Sequence, residues 1–250
     1  MLKFEDVTFQ YSEDAFPMVT GLSFDVEEGE FISIIGASGC GKSTIFRLIN
    51  GLEKMQGGAI TINGENIKDS RNYCAYMPQK DLLYPWRTIE KNLCLPMEIQ
   101  KKPKEEMKRR AGEMLKEVGL WDYRDKSPRD LSGGMKQRAS FARTLLTGTN
   151  LLLLDEPFSA LDFLTKISLQ EWLLEEWQKY KKTILFVTHD VEEAVFLSQK
   201  IFVIRDRPIT HFEECVIPLP YPRNRESLKQ PQIADLKEQL IKSLRQEETA

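Results

Sequence analysis

The stretch IIGASGCGKST, Ile34 to Thr44, places four residues between Gly36 and Gly41 and then adds Lys42, Ser43 and Thr44. A glycine-rich turn lets successive backbone N–H groups converge on anionic oxygens, and a helix beginning just beyond it contributes its positive end. This spacing after an apolar run of strand length, EFISIIG, is the pattern of a phosphate-binding loop. Lys42 is expected to reach the β- and γ-phosphates of a nucleotide as a point charge and Ser43 to ligate Mg2+. The amides from Gly39 through Cys40 and Gly41 to Thr44 are expected to wrap the α- and β-phosphates, with Ala37 and Ser38 completing the loop.

A phosphate loop alone names no reaction. The second signal is LLLLDEPFSALD, where the leucines Leu151 to Leu154 make a strand buried on both faces. The C-terminal end of such a strand in a parallel sheet is where ligands collect. Asp155 leaves that end as the expected Mg2+ partner, directly or through water. Glu156 is placed to polarise a water for attack on the γ-phosphate, because phosphoryl transfer is assisted mainly by positioning and charge. Standing alone, the Asp-Glu pair also fits a plain turn with an acidic residue at a helix start.

The third signal is DLSGGMKQRASFARTLL, Asp130 to Leu146. Ser132, Gly133 and Gly134 ahead of a helical pattern offer a hydroxyl, open backbone and a helix dipole, which is a second anion cradle. A capped helix after a glycine turn explains the same residues. Two cradles about ninety residues apart in one chain need not face the same nucleotide.

The elements that must carry these residues follow from the apolar periods. MLKFEDVTFQY, LSFDVEEGEFISIIG and GGAITINGENI read as strands, giving a strand-rich front. From about 82 to 150 the pattern turns helical, with Met107, Ala111, Met114, Leu115 and Val118 on one face. NLLLLDEP and KTILFVTHD are continuous apolar strands flanking a helical stretch from Leu164 to Tyr180, the mark of a buried parallel sheet with crossovers. After Asp206 the chain is proline-punctuated, then closes on an amphipathic helix carrying Ile233, Leu236, Leu240, Ile241 and Leu244.

Composition bounds the remaining choices. The 250 residues are 41% hydrophobic and 29% charged, enough for a real core, and the net charge of −3 lacks the basic excess of a nucleic-acid binder. The runs KKPKEEMKRR and QKYKK read as solvated helix faces. No window approaches the ~18 uninterrupted apolar residues of a membrane helix, and the N-terminus lacks a signal-peptide centre, so membrane association is expected to be peripheral. Cys40, Cys74, Cys94 and Cys215 form no metal-ligand spacing and read as free thiols.

Taken in order, GASGCGKST, Gln79, LSGGMKQR, LLLLDEP, SALD and FVTHD make the chain resemble the ATP-binding-cassette ATPases from about Leu2 to Arg207. The resemblance implies an α/β fold. Its parts are a P-loop NTPase core with a parallel sheet, an N-terminal antiparallel β subdomain and an inserted helical subdomain. The implied division is 1–207 for the ATPase domain (core about 1–81 and 151–207, helical insert about 82–150) and 208–250 for a C-terminal extension ending in the amphipathic helix. It further implies a homodimer with ATP and Mg2+ sandwiched between the P-loop of one subunit and the Ser132-Gly133-Gly134 cradle of the other.

By the same resemblance Tyr11 stacks on adenine and Gln79 senses Mg2+ and water at the hinge to the insert. Asp162 contacts the partner, and His189 holds the γ-phosphate. From the residues alone, Tyr11 and His189 are also ordinary strand-end side chains. Met135 departs from the glutamine usual at its place, so its side chain is given no polar role. LLYPWRTIEKN, LSGGM and RDRP resemble the importer branch for nitrate, sulfonate, taurine and pyrimidine vitamin precursors. That branch implies an ATPase motor on the cytoplasmic face, working with integral membrane permease subunits and a separate solute-binding protein, and not with nucleic acid. Trp86 is expected either in the groove receiving a permease helix or packed inside the helical insert. A small-molecule phosphotransferase leaves Gln79, LSGGM and His189 without work. A nucleic-acid cassette usually shows two cassettes or a coiled coil, and neither pattern is present.

Overall fold

The computed structural model describes residues 1–70 and 73–247, with side chains through Leu244. In chain order the strands and helices begin with β1 (Leu2–Phe9), β2 (Val19–Val26), β3 (Phe31–Gly36) and α1 (Lys42–Ile49). They continue through β4 (Gly57–Ile62), β5 (Glu65–Asn66), β6 (Cys74–Met77), α2 (Ile89–Ile99), α3 (Lys104–Glu117) and α4 (Gly133–Leu145). The last are β7 (Leu151–Asp155), α5 (Phe163–Tyr180), β8 (Thr183–Val187), α6 (Val191–Leu197), β9 (Lys200–Ile204), β10 (Glu213–Val216) and α7 (Pro231–Glu247).

Two sheets result. One is antiparallel, in the order β2-β1-β4-β5, and the other runs β10-β9-β3-β8-β7-β6 with its last five strands parallel. The α/β class with an N-terminal antiparallel sheet is therefore as expected. Strands β3, β7 and β8 are buried at every position, because helices or the second sheet cover both faces. In β3 the alternation is direct: Phe31 and Ile35 enter one core, while Ile32 and Ile34 enter the other. The second core also takes Ile45, Leu48 and Ile49 from α1 and the inner face of the antiparallel sheet. The first core takes Leu93, Ala111, Leu115, Phe141, Trp177 and Phe196 from α2 through α6.

The strand order decides the site. β3, β8, β7 and β6 are neighbours, and all point the same way, so Gly36, Val187, Asp155 and Met77 end on one rim of the sheet. The phosphate loop, Thr188-His189, Asp155-Glu156 and Gln79 follow those ends directly.

The chain after 207 is more integrated than the expected boundary suggests. β10 pairs antiparallel with β9, and Ile209, Ile217, Leu219, Leu228 and Ile233 are buried in the two cores. The short EECV strand escaped notice because its residues are mostly solvated. Its following loop is clamped by Arg223. That buried guanidinium donates to the carbonyls of Val195 (2.9 Å) and Ser198 (2.7 Å) at the end of α6 and to Leu219 (2.7 Å), and it lies 4.0 Å from the Tyr221 ring. Arg223→Ala strands several buried carbonyls at about 1–3 kcal/mol for each unsatisfied group. For a chain of this size it should lower the melting temperature by roughly 5–10 °C. Arg223→Lys, with no planar fork, should recover less than half of that loss in the same thermal melt.

Candidate nucleotide site

The turn between β3 and α1 is built on glycine for steric reasons that can be stated atom by atom. Gly41 caps α1 with φ 112°, and a Cβ there would meet Met18 Sδ at 2.8 Å and Ile209 Cδ1 at 2.9 Å. A Cβ on Gly36 would meet Cys40 Sγ at 2.8 Å. Both ends of the loop thus stay free of side chains, and the first-turn amides of α1 have no intrahelical acceptor to satisfy them. Lys42 is buried and donates through Nζ to the carbonyls of Gly36 (2.9 Å) and Ala37 (2.8 Å), which holds its charge over the loop.

A cavity of about 700 Å³ opens in front of this loop. Gly36, Ala37, Ser38, Gly39, Gly41, Lys42, Ser43 and Thr44 line one wall, and Gln79, Glu156 and His189 line another. Cys40 lies behind the loop, with Sγ 3.9 Å from Lys42 Nζ. Asp155 sits beneath the opening: it is nearly fully buried, accepts a hydrogen bond from Ser43, and receives Tyr76 OH at 3.4 Å. Burial, together with the neighbouring Glu156 charge, holds its carboxyl above the usual range despite those hydrogen bonds and Lys42.

Glu156 is held in an unusual pose. Its φ is 49°, left-handed for a residue with a side chain, and its amide donates to Val187 O at 2.9 Å as if β7 continued. The side chain meets Gln79 Nε2 at 3.0 Å and lies 3.6 Å from His189 Nδ1 through the same Oε2. Two residues that follow other strand ends, Gln79 and His189, therefore converge on one carboxylate oxygen of Glu156. Tyr11 approaches from the antiparallel sheet, its hydroxyl 3.1 Å from Thr44 Oγ1 and its ring edge-on to Phe9.

The second cradle lies elsewhere. Ser132 caps α4, its Oγ accepting from Met135 N at 3.3 Å, and both Ser132 and Gly133 are exposed. Open space surrounds the Cβ position of Gly133. None of Ser132, Gly133 and Gly134 lines the phosphate cavity of their own chain. Gly134 is where α4 crosses the turn after Glu156, since a Cβ there would meet Ala160 O at 2.9 Å.

Some structural partners escaped the motif reading. Buried Gln137 donates to Glu156 O (2.9 Å) and Ser159 Oγ (3.1 Å) and accepts from Ala160 N (2.7 Å), so it ties the cradle helix to the turn that carries Glu156. Behind His189, Asp190 caps α6, and Lys166 bridges Asp190 (2.8 Å) and the buried Glu193 (2.5 Å). Thr188 Oγ1 donates to Glu193 as well. Asp162 caps α5 through Thr165 N at 3.1 Å, and Phe163 beside it is 74% exposed. Trp86 is 76% exposed, so it does not pack inside the helical region.

Comparison with known proteins places the chain in a family. The family model described as ABC transporter matches residues 19–159. The formylaminopyrimidine import ATP-binding protein ThiZ of Halalkalibacterium halodurans is 46% identical over 87% of this chain and 85% of its own. The aliphatic sulfonates import ATP-binding protein SsuB of Bacillus cereus is 39% identical over 84% of this chain and 82% of its own. Among solved structures, the ATP-binding cassette MJ0796 in a dimeric post-hydrolysis state bound to ADP and Pi superposes with a TM-score of 0.79 at 28% identity, covering 88% of this chain and all of that one. The phosphate loop, the carboxylate pair beside it and these relatives together make the chain a member of the ABC transporter family and an ATPase built on its ATP-binding domain.

Proposed function

We propose that the chain is the ATP-hydrolysing motor of a multi-subunit importer, acting as a dimer that binds each ATP between the phosphate loop of one copy and the Ser132 cradle of the other. The observation that carries this is the location of the cradle: a 13-residue helix exposes an N-terminus whose residues take no part in lining their own chain's phosphate cavity. A second copy related by two-fold symmetry completes both sites reciprocally. The solved dimer of a related cassette, bound to ADP and Pi, supports pairing of two copies.

Within one site the roles follow from position. Lys42 neutralises the β- and γ-phosphates, and the loop amides hold the polyphosphate. Ser43, Asp155 and Gln79 offer the hard oxygen donors that suit Mg2+, which when bound would neutralise charge on the β- and γ-oxygens. Glu156 Oε2, fixed by Gln79 and His189, polarises and orients the attacking water. His189 holds the γ-phosphate, and Tyr11 supports the adenine.

The membrane partner is read from a second surface. A groove of about 570 Å³ beside Gln79 is lined by Arg47, Leu52, Tyr76, Pro78, Leu82, Tyr84, Leu95 and Arg143, and Trp86 packs edge-on to Tyr84 at its rim. Exposed aromatics of this kind are interface anchors. Among the described residues no helix is long and apolar enough to cross a membrane. The import ATP-binding relatives support a permease on separate subunits, with this subunit at its cytoplasmic face. The named relatives support a small solute of the sulfonate or pyrimidine-precursor kind; nitrate or taurine as the solute, and delivery by a separate solute-binding protein, belong to the proposal alone.

Lys42→Ala should lose ATP binding and hydrolysis together. Glu156→Gln should still bind ATP but turn over about 10²–10³-fold more slowly, the effect of losing one preorganised group, as read by phosphate release. Wild-type turnover in Glu156→Gln would remove Glu156 from its role. Trp86→Ala should weaken co-purification with the permease by about 30-fold in affinity, the scale of a hot-spot truncation, with ATP binding by the isolated chain as the control.

A further inference from the structure

Helix α7 ends at the mouth of the phosphate cavity. Ile233 and Leu240 anchor it in the core, Leu236 and Leu244 pack on the same side, and Lys237 Nζ reaches Glu192 Oε2 at 3.0 Å on the first turn of α6. Glu192 is three residues beyond His189. The docked helix brings Ile241 and Leu244 into the lining of the cavity that Lys42, Ser43, Gln79, Glu156 and His189 share. Ile241 departs from the amphipathic expectation, because it is left 39% exposed.

An aliphatic pair offers nothing to polyphosphate oxygens or to a metal, since it can neither donate nor accept a hydrogen bond. It is therefore no part of the machinery that holds the nucleotide. It shares the cavity lining with His189 and Val191, and Lys237 one turn earlier reaches Glu192 on the first turn of α6, so the pair overhangs the side where His189 is proposed to hold the γ-phosphate and a partner's Ser132 cradle to enter. The attachment of these last turns is also weak. Beyond the core anchor Leu240 they are held by the packing of Leu244, and the charged link of α7 to α6 lies a turn earlier and is partly exposed, a kind of pair that contributes at most about 1 kcal/mol.

We infer that the C-terminal turns of α7 are an autoinhibitory plug that occupies the entry path of a second copy's Ser132-Gly133-Gly134 cradle and must swing aside before the ATP dimer closes. The inference rests on the proposed sandwich dimer. The plug opposes pairing rather than nucleotide binding, because the cavity of about 700 Å³ remains in its presence. Were nine in ten copies docked, each copy's competent population would fall about tenfold and the pairing constant, which needs both copies open, about a hundredfold, which two bound ATP would offset at about tenfold more ATP.

The test compares the full chain with one ending at Leu240, both carrying Glu156→Gln, by the ATP concentration at which light scattering detects dimers. A third chain, Lys237→Glu with Glu156→Gln, sets like charges on α6 and α7 while leaving every core anchor in place. The shortened chain should pair at roughly three- to tenfold less ATP and Lys237→Glu at about two- to fivefold less, while ADP affinity of the monomers stays within about twofold. Equal pairing midpoints for all three chains overturn the plug and leave the dimer standing. No pairing by any of them at saturating ATP removes the sandwich dimer and the plug with it. Tighter ADP binding by the shortened chain, with unchanged pairing, assigns α7 to nucleotide access instead and also overturns the inference.

Discussion

The register between β7 and β8 is the constraint on which the site depends. Asp155 sits opposite Val187, and one residue later the Glu156 amide still reaches Val187 O at 2.9 Å although the backbone has turned left-handed. That single hydrogen bond keeps Asp155 under the phosphate loop and sends Glu156 across the opening. A one-residue slip would exchange the two faces of β7 and turn Asp155 away from Ser43. The four leucines leave little room for such a slip, because each fills one of two cores that are already packed.

Around that fixed pair the protein places parts that belong to different elements. The phosphate loop belongs to the sheet, Gln79 to the strand end leading into the helical region, and His189 to the loop that Asp190, Lys166 and Glu193 brace. Gln79 and His189 converge on Glu156, which shares the cavity with the phosphate loop, so a change in the groove beside Gln79 or in the cap of α6 is felt at the same carboxylate. Gln137 extends the connection to the cradle helix by gripping the turn from Glu156 to Ala160. The residues that make one site thus also report on the other through short polar links, with little need for large rearrangement of the core.

Most of the fold was legible because burial on two faces writes itself as uninterrupted apolar runs, as in FISIIG, LLLLD and TILFV. The phosphate loop was legible because glycines are dictated there by contact distances at Gly36 and Gly41. What stayed hidden depended on partners far along the chain. Gln137 finds its acceptors 19 and 22 residues away, and Arg223 finds carbonyls 25 to 28 residues back, neither of which leaves a periodic trace. β10 was missed because an edge strand exposed to water carries no apolar alternation. Ile241 looked like one more core position, since helical spacing cannot tell a face that packs on the protein from one that overhangs a cavity.

The central claim is that the two anion cradles of one chain serve different ATP molecules. It is tested most directly by cross-linking single cysteines on the Glu156→Gln background, with the four native cysteines replaced by serine. One chain carries Ser38→Cys in the phosphate loop and the other Ser132→Cys in the cradle, and a short bismaleimide is added to the mixture with and without ATP. A covalent dimer that forms in the mixture and depends on ATP is the result the trans arrangement predicts. A chain holding both cysteines that closes only on itself, with no dimer formed in the mixture at saturating ATP, would contradict it.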